Sequence, residues 1–315
     1  ISSGGAIVFT ANDNTYSGAI TLGSTSTIVS TGGAQTISGA VNGGYGLTIT
    51  ANGNLVISGA VGGSTDLSSY TVTTTGSASQ TFSANVETTG NQTYTAAGGI
   101  VTSGARTFDS SSGTVNFASA LSGDNNVTVT GNADIDGAIT DIAVLSITGT
   151  ANIGADITSS DTQTYGDAVT LSANVTLTTS SDVVTFDSTV NSDGSTRNLT
   201  SATGGNSTEI NFDGVVGGSA AVGAITITGA LDLNAPIISA TSLSVSGVSN
   251  LGANVTTSGT QTYLAATTLS GGARTLQGST IQTVAVSGAQ NLTITGNLDL
   301  NGAITQVAVF AVSGT

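Results

Sequence analysis

The chain repeats itself, and this feature limits the possible folds more than any other. Residues 126–165 read NVTVTGNADIDGAITDIAVLSITGTANIGADITSSDTQTY, and residues 224–263 read AITITGALDLNAPIISATSLSVSGVSNLGANVTTSGTQTY. The two blocks align without a gap (224 − 126 = 98). A third copy covers residues 291–315 and begins closer to the second (291 − 224 = 67), and a looser copy covers residues 47–94. Such repetition predicts stacked structural repeats.

Within each copy, apolar residues alternate with small polar ones. This period of two is typical of a β-strand with one buried face. The apolar runs end at glycines, as at Gly229 and Gly247, where we expect the chain to turn sharply. The positions that the pattern predicts to be buried in the second clean copy are Ile225, Ile227, Leu231, Leu233, Leu243 and Val245.

In each of the three copies, two glycines are separated by the same number of residues. The interval suits one coil of a β-solenoid, in which short strands stack on the next coil at about 4.8 Å per rung. The pairs are Gly131 and Gly149, Gly229 and Gly247, and Gly296 and Gly314.

The unequal offsets between the copies favour a solenoid over a string of globular domains. A solenoid can gain or lose coils, since each coil contacts only its neighbours. Tandem immunoglobulin-like β-sandwiches are the alternative, and the absence of Trp and Cys speaks against them. No Pro-rich or charge-rich linker interrupts the sequence. We therefore expect residues 1–315 to form a single, elongated, all-β segment, and we expect it to be a window of a longer repeat protein, because the third copy is cut off at Thr315.

The charge balance excludes several classes of partner. Eighteen acidic residues oppose three arginines, so the formal net charge is −15. Nucleic acid is a poor partner for such a chain, because few cations are present to neutralise phosphates. An anionic membrane surface is unsuitable for the same reason, and no apolar run approaches the roughly 20 residues of a membrane-spanning helix. The absence of Cys fits a large bacterial surface protein, whose continuous core does not need disulfides.

Most catalytic chemistry lacks its usual residues. The chain contains no His, Cys or Lys, which removes His-based acid–base catalysis, Cys and Lys nucleophiles and most transition-metal sites. A polysaccharide-degrading β-helix enzyme would need paired carboxylates. Asp134 and Asp136 form such a pair, but the matching positions carry Asp232 with Asn234, and Asp299 with Asn301. We therefore predict no enzyme, and no catalytic, cofactor-binding or metal-binding residue. Weak, nonspecific Ca²⁺ stabilisation through carboxylates stays open. GGNSTEINFDG at residues 204–214 matches the signature of calcium-binding β-rolls only superficially.

Two short phrases admit both a structural and a functional interpretation. The first is Gln-Thr-aromatic, which we expect to form a corner, where the aromatic residue fills the wide end of a coil and the Gln amide satisfies backbone groups; stacking against a sugar is the alternative. It occurs at residues 80–82, 92–94, 163–165 and 261–263, with an aliphatic form at residues 35–37. The second is Thr-x-Thr, at residues 48–50, 128–130, 226–228 and 293–295. These threonines should share one strand position, where strand propensity explains them; a flat threonine ladder that binds ice is the alternative.

Several phrases carry a resemblance to a known group of proteins. LTITGNLDLNGAI at residues 292–304, NLGANVTTSGTQTY at residues 250–263, and the related SGARTF and GGARTL at residues 103–108 and 271–276 resemble the repeats of giant bacterial surface proteins. The group is that of filamentous haemagglutinin and autotransporter adhesins. The resemblance implies a right-handed parallel β-helix that is exported unfolded and displayed outside the cell. It carries over no catalytic residue.

The expected function is that of an extracellular structural or adhesive segment, a rigid rod, stalk or filament on a bacterial surface. A glycan- or receptor-binding adhesin face is the alternative, and an ice-binding solenoid or a polysaccharide-degrading enzyme ranks behind both. The expected partners are neighbouring repeats of the same chain, further copies in a homo-oligomer or filament, and host or surface glycans.

Overall fold

The computed structural model describes residues 2–3, 6–9, 13–180, 182–203 and 209–314. All regular elements in these ranges are β-strands, and their pairings are parallel. The strands stack as a β-solenoid of about 15 turns. The predicted solenoid is therefore confirmed. The alternative of tandem β-sandwiches is wrong, because such sandwiches are built from antiparallel sheets.

The strands group into two compact units, Ile1–Ala151 and Asn152–Thr315. The assignment of residues 1–315 to a single segment stays a prediction. The first unit contains β1 (Ser2–Ser3), β2 (Ala6–Phe9), β3 (Asn14–Tyr16), β4 (Ile20–Leu22), β5 (Ser26–Ser30), β6 (Gln35–Ile37), β7 (Val41–Asn42), β8 (Gly46–Ala51), β9 (Leu55–Ile57), β10 (Ser69–Thr74), β11 (Gln80–Phe82), β12 (Val86–Thr88), β13 (Gln92–Ala96), β14 (Ile100–Thr102), β15 (Arg106–Phe117), β16 (Leu121–Ser122), β17 (Val127–Ile135), β18 (Ile139–Ile142) and β19 (Leu145–Ile147).

The second unit begins within β20 (Ala151–Ile153). It continues with β21 (Ile157–Ser159), β22 (Gln163–Tyr165), β23 (Val169–Leu171), β24 (Val175–Thr179), β25 (Val184–Phe186), β26 (Val190–Ser192), β27 (Leu199–Thr203), β28 (Glu209–Phe212), β29 (Val222–Ile227), β30 (Ala230–Leu233), β31 (Ile237–Val245), β32 (Ser249–Leu251), β33 (Val255–Thr257), β34 (Gln261–Leu269), β35 (Arg274–Ser287), β36 (Leu292–Thr305) and β37 (Phe310–Val312).

In the first unit, each coil contributes a strand to three parallel ladders, which we name the first, second and third sides in chain order. The first side consists of β2, β5, β8, β10 and β13, followed by the ends of β15 and β17. The second side consists of β3, β6, β9, β11, β14, β16 and β18. The third side consists of β1, β4, β7, an isolated bridge at Val61, β12, the starts of β15 and β17, and β19.

The second unit has the same three-sided plan. Its first side runs from β23 and β26 through β33 to the start of β36 and β37. Its second side includes β21, β24, β27, β29, the end of β31 and the start of β34. Its third side includes β22, β25, β28, β30, β32 and the end of β34.

The recurring glycine interval is one coil, as the sequence predicts. The Gly149 amide donates to the Gly131 carbonyl at 3.0 Å, and the Gly247 amide donates to the Gly229 carbonyl at 2.9 Å. Strands end before Gly229 and Gly247, but β17 passes through Gly131 and β36 passes through Gly296. Those two glycines have φ values of 103° and 128°, a region that L side chains rarely adopt. A glycine corner can therefore turn the chain without interrupting the ladder.

Inward-facing residues form a continuous hydrocarbon core in each unit. All six positions predicted to be buried in residues 224–263 are at most 1% exposed. In the first unit, Phe82, Tyr94, Phe108 and Phe117 pack mainly edge to face, with ring centroids 5.1–5.7 Å apart. Burial of such side chains is worth about 1.5–3 kcal/mol each before chain entropy is subtracted. This packing fixes the coils and thus the outward-facing side chains between the core positions.

Candidate functional site

An array of threonines forms a regular surface on the first side of the first unit. We call it the threonine face. Thr27, Thr48, Thr71 and Thr93 form one column, and Thr50, Thr73 and Thr95 form a second column beside it, which Val29 extends by one rung. Each coil contributes one residue to each column, so neighbouring residues in a column are about 4.8 Å apart. The face thus spans four consecutive coils and carries seven threonines in eight positions.

The seven hydroxyl groups of the threonine face make no hydrogen bond with any other described residue. Threonines elsewhere do so: the Thr31 hydroxyl donates to the Phe9 carbonyl at 3.3 Å, and the Thr75 hydroxyl donates to Asn52 Oδ1 at 2.8 Å. Under the face lie Leu47, Ile49, Ala51, Tyr70, Val72 and Tyr94, all at most 1% exposed. The face is therefore a firmly backed surface with free donors and acceptors.

The sequence prediction that the Thr-x-Thr phrases share one strand position is wrong. Residues 48–50 lie on the first side of the first unit, whereas residues 128–130 belong to its third side. In the second unit, residues 226–228 run along the second side and residues 293–295 along the first. The cause is geometric, because the unequal offsets between the copies need not equal a whole number of three-sided coils.

Sequence reasoning missed Thr27, Thr71, Thr73, Thr93 and Thr95. Residues 71–73 and 93–95 also read Thr-x-Thr, but only the four pairs at equivalent places in the repeat copies were recognised. A usable signal was present. Successive members of the first column are separated by one coil length each time (48 − 27 = 21, 71 − 48 = 23, 93 − 71 = 22). Repeated phrases reveal identical sequence rather than equal spacing, and therefore they do not reveal this column.

The Gln and aromatic side chains of the Gln-Thr-aromatic phrases lie inside the solenoid, as expected from the structural interpretation. The phrases belong to strands, however, so the expectation that they form corners is wrong, because alternation along a strand turns the Gln and the aromatic residue inward and the Thr between them outward. Gln163 Nε2 donates to the Thr178 carbonyl of the next coil at 2.9 Å, and the Tyr165 hydroxyl donates to Gln163 Oε1 at 3.1 Å. Gln261 and Tyr263 repeat this arrangement. The aromatic members are Phe82, Tyr94, Tyr165 and Tyr263, each at most 1% exposed. Burial raises the pKa of all three of these tyrosines, and their rings are closed to sugars.

The carboxylates considered for catalysis or Ca²⁺ are tied to asparagine amides. Asn116 Nδ2 donates to Asp134 Oδ2 at 2.6 Å and to Asp136 Oδ2 at 2.9 Å. In the second unit, Asp232 accepts from Asn234 and from Asn250. Within the described ranges, no three His, Cys, Asp or Glu side chains are grouped as a metal ion would require. The possible calcium phrase at residues 204–214 lies partly outside the described residues, since 204–208 are not among them.

The three arginines hold local structure. Arg106, in SGARTF, donates to the Ser103 carbonyl, and Arg274, in the related GGARTL, donates to the carbonyls of Ser270, Leu251 and Ala273. Arg197 pairs with Asp193 at 2.7 Å. The repeated Gly-Ala-Arg-Thr phrase is thus a turn in which the guanidinium group satisfies backbone carbonyls.

Asp109, on the third side of the first unit, carries an unfavourable charge. Partial burial raises its pKa above the ordinary value of 3.8, and the negative charge of Asp66 adds to the effect. Glu87 is its partner on the neighbouring coil. A carboxyl whose pKa is raised in the folded state binds its proton more tightly there than in the unfolded state, so its ionisation lowers stability as the pH rises through the folded pKa.

Replacement of Asp109 by asparagine should therefore stabilise the protein at pH 7, by about 0.5 kcal/mol for so exposed a group. The gain should vanish below about pH 3.8, where aspartate is protonated in both states. Urea unfolding at several pH values measures this.

Asp193→Asn is a control for which we expect the opposite effect. In the parent protein, the hydrogen bond from Arg197 lowers the pKa of Asp193 to about 2. The variant lacks this stabilised charge, so it should be destabilised at pH 7 and should match the parent as the pH falls toward 2. Equal behaviour of the two variants would contradict the assignment.

Among the described residues, no helical segment has the length and apolar character needed to pass through a lipid bilayer. Comparisons with protein-family models, curated proteins and solved structures find no match to this chain.

Proposed function

We propose that this chain is a structural segment of an extracellular bacterial surface protein, part of a stalk or filament, and that its role is mechanical rather than catalytic. The proposal rests mainly on one observation. Many of the asparagine and aspartate side chains join one coil to the next.

Asparagine and aspartate side chains supply many of these joints. At the corners, a side-chain oxygen accepts the backbone N–H of a residue about one coil further along. Such bonds satisfy backbone donors that a solenoid corner would otherwise leave without partners. The acceptor and donor pairs include Asn54 with Ser79, Asn85 with Thr107, Asn91 with Thr114, Asn132 with Thr150, Asp156 with Thr176, Asn174 with Asn198, Asn198 with Ala224, and Asn254 with Thr275, all at 2.7–3.1 Å.

The composition supports an extracellular structural role. Charged residues make up 7% of the chain, and cysteine is absent. Surfaces with few charges can pack against further copies or other repeats, because little charge has to be desolvated. The ladders and apolar core need no disulfide or metal. The resemblance of the repeat phrases to those of bacterial surface adhesins supports the same location.

Three measurements test this proposal. Antibodies to the purified chain should label intact, unpermeabilised cells of the producing bacterium. The purified chain should bind no glycan selectively on an array, and it should release no reducing sugar from polysaccharides. Failure to label intact cells would overturn the location. Micromolar binding to one glycan class would favour the adhesin alternative, and cleavage of a polysaccharide would favour an enzyme.

A further inference from the structure

We propose that the threonine face of the first unit binds ice. This activity goes beyond a mechanical role and does not depend on it. The face has two repeat distances. Along each column, threonines recur at about 4.8 Å, and the two columns are separated by two residues of extended strand, about 6.6 Å. Oxygen atoms at the surface of ice repeat at comparable distances in two directions, so water molecules held by the face would already be arranged in an ice-like grid.

The hydroxyl groups are available for this purpose. None of the seven threonines in the face uses its hydroxyl inside the described structure, although threonines just beyond its edge, Thr31 and Thr75, do. Each free hydroxyl can donate one hydrogen bond and accept others. The face therefore presents seven identical groups, each ready to hold a water molecule.

The face is also fixed before it meets its ligand. Threonine is branched at Cβ, which restricts its χ1 angle. The backbones of Thr48, Thr50, Thr71, Thr73 and Thr93 are paired on both sides. Little side-chain or backbone entropy remains to be lost on binding, which favours association with a rigid crystal surface.

The surrounding chemistry favours ice over a glycan or an ion. The eight positions of the face carry no charged and no aromatic side chain. Sugar-binding surfaces commonly use aromatic rings for stacking, and ion sites need charged or convergent ligands. In the first column, Thr93 is followed by Asn116 on the next coil and by Asp134 on the coil after that. Asp134 is the nearest carboxylate along the column. Together, the threonine methyl groups and hydroxyls give an uncharged surface that suits ordered water.

Thermal hysteresis of the full chain tests the proposal. The parent protein should depress the freezing point below the melting point and should shape growing ice crystals. Thr71→Tyr places a large ring in the middle of the face and should reduce the hysteresis at least tenfold. Thr81→Tyr, on the second side of the same coil, is the matched control and should leave the hysteresis unchanged. Circular dichroism verifies the fold of both variants.

A second variant and a measurement without any variant complete the test. Thr95 is the most exposed threonine of the face, so Thr95→Tyr should fold even if Thr71→Tyr does not, and it should also reduce hysteresis. Adsorption of fluorescently labelled parent protein to a growing ice surface needs no variant. Absence of both hysteresis and adsorption in the parent protein would overturn the proposal, as would an equal loss in the Thr81→Tyr control. Neither result bears on the structural role.

Discussion

The Phe186→Ala variant is expected to lose about 3–5 kcal/mol of unfolding free energy, the range found when a large aromatic residue is removed from a core. Phe186 is fully buried. Its ring lies between those of Tyr165, at a centroid distance of 5.0 Å, and Phe212, at 5.4 Å, with interplanar angles of 14° and 7°. The three rings come from three successive coils of the third side in the second unit.

Removal of the middle ring breaks both stacking contacts at once. Aromatic pairs contribute about 0.5–1.5 kcal/mol beyond their buried area, and the empty volume cannot be filled without shifting three coils that are joined by backbone hydrogen bonds. Urea unfolding followed by circular dichroism at a constant m-value measures the loss. Phe186→Leu, which retains most of the volume, should cost less than Phe186→Ala.

Phe310→Ala provides the surface control. This phenylalanine belongs to the same unit and is 43% exposed, so its removal should change the unfolding free energy by no more than about 0.5 kcal/mol. A loss at Phe186 as small as that at Phe310 would mean that the stacked rings do not form part of a packed core.

Much of this fold can be predicted from the sequence, because alternation carries direct physical information. A residue in a strand faces either the core or the solvent, and the six positions predicted to be buried in residues 224–263 all face inward. The recurring glycine interval predicts the length of a coil, and Gly247 does lie on Gly229. The interior position of the Gln and aromatic side chains in the Gln-Thr-aromatic phrases followed from the need to satisfy buried polar groups.

The position of each strand around the coil could not be predicted in the same way. Alternation separates inside from outside but does not distinguish three sides that share one pattern. Thr48 and Thr128 occur in nearly identical phrases, yet they lie on different sides of the first unit. The lengths of the turns between strands decide on which side a strand lies. These turns, of which residues 58–68 are one, differ in length from coil to coil without changing the core pattern. The threonine face therefore follows from the register of neighbouring coils rather than from alternation alone.

The second large effect concerns a glycine. Replacement of Gly59 by alanine should destabilise the protein by about 3 kcal/mol, at the upper end of the range for overpacked sites. A Cβ atom at this position would lie 2.1 Å from the Gly39 carbonyl oxygen, 2.4 Å from its carbonyl carbon and 2.9 Å from the Ala40 nitrogen. All three contacts are to backbone atoms of the preceding coil, so no flexible side chain can move aside.

The clash cannot be relieved locally, because the same corner is held by hydrogen bonds. The Gly59 amide donates to the Ile37 carbonyl at 3.2 Å, and the neighbouring Ser58 amide donates to it at 2.8 Å. Moving the corner outward enough to admit a methyl group would lengthen both bonds and separate two coils. Thermal unfolding compares this variant with Gly44→Ala, in the same unit, where an added Cβ meets nothing within 4 Å.

The Gly44→Ala control should be neutral or should raise stability by about 0.4–1 kcal/mol, since alanine restricts the unfolded chain without straining the folded one. The contrast between two glycine-to-alanine changes in the same unit isolates coil-on-coil contact from the intrinsic preferences of glycine. Equal unfolding temperatures of the two variants would mean that the backbones of the two coils are further apart at this corner than the stacking of Gly59 on Gly39 requires. The stacked coils, on which both the core and the threonine face depend, would then have to be spaced differently.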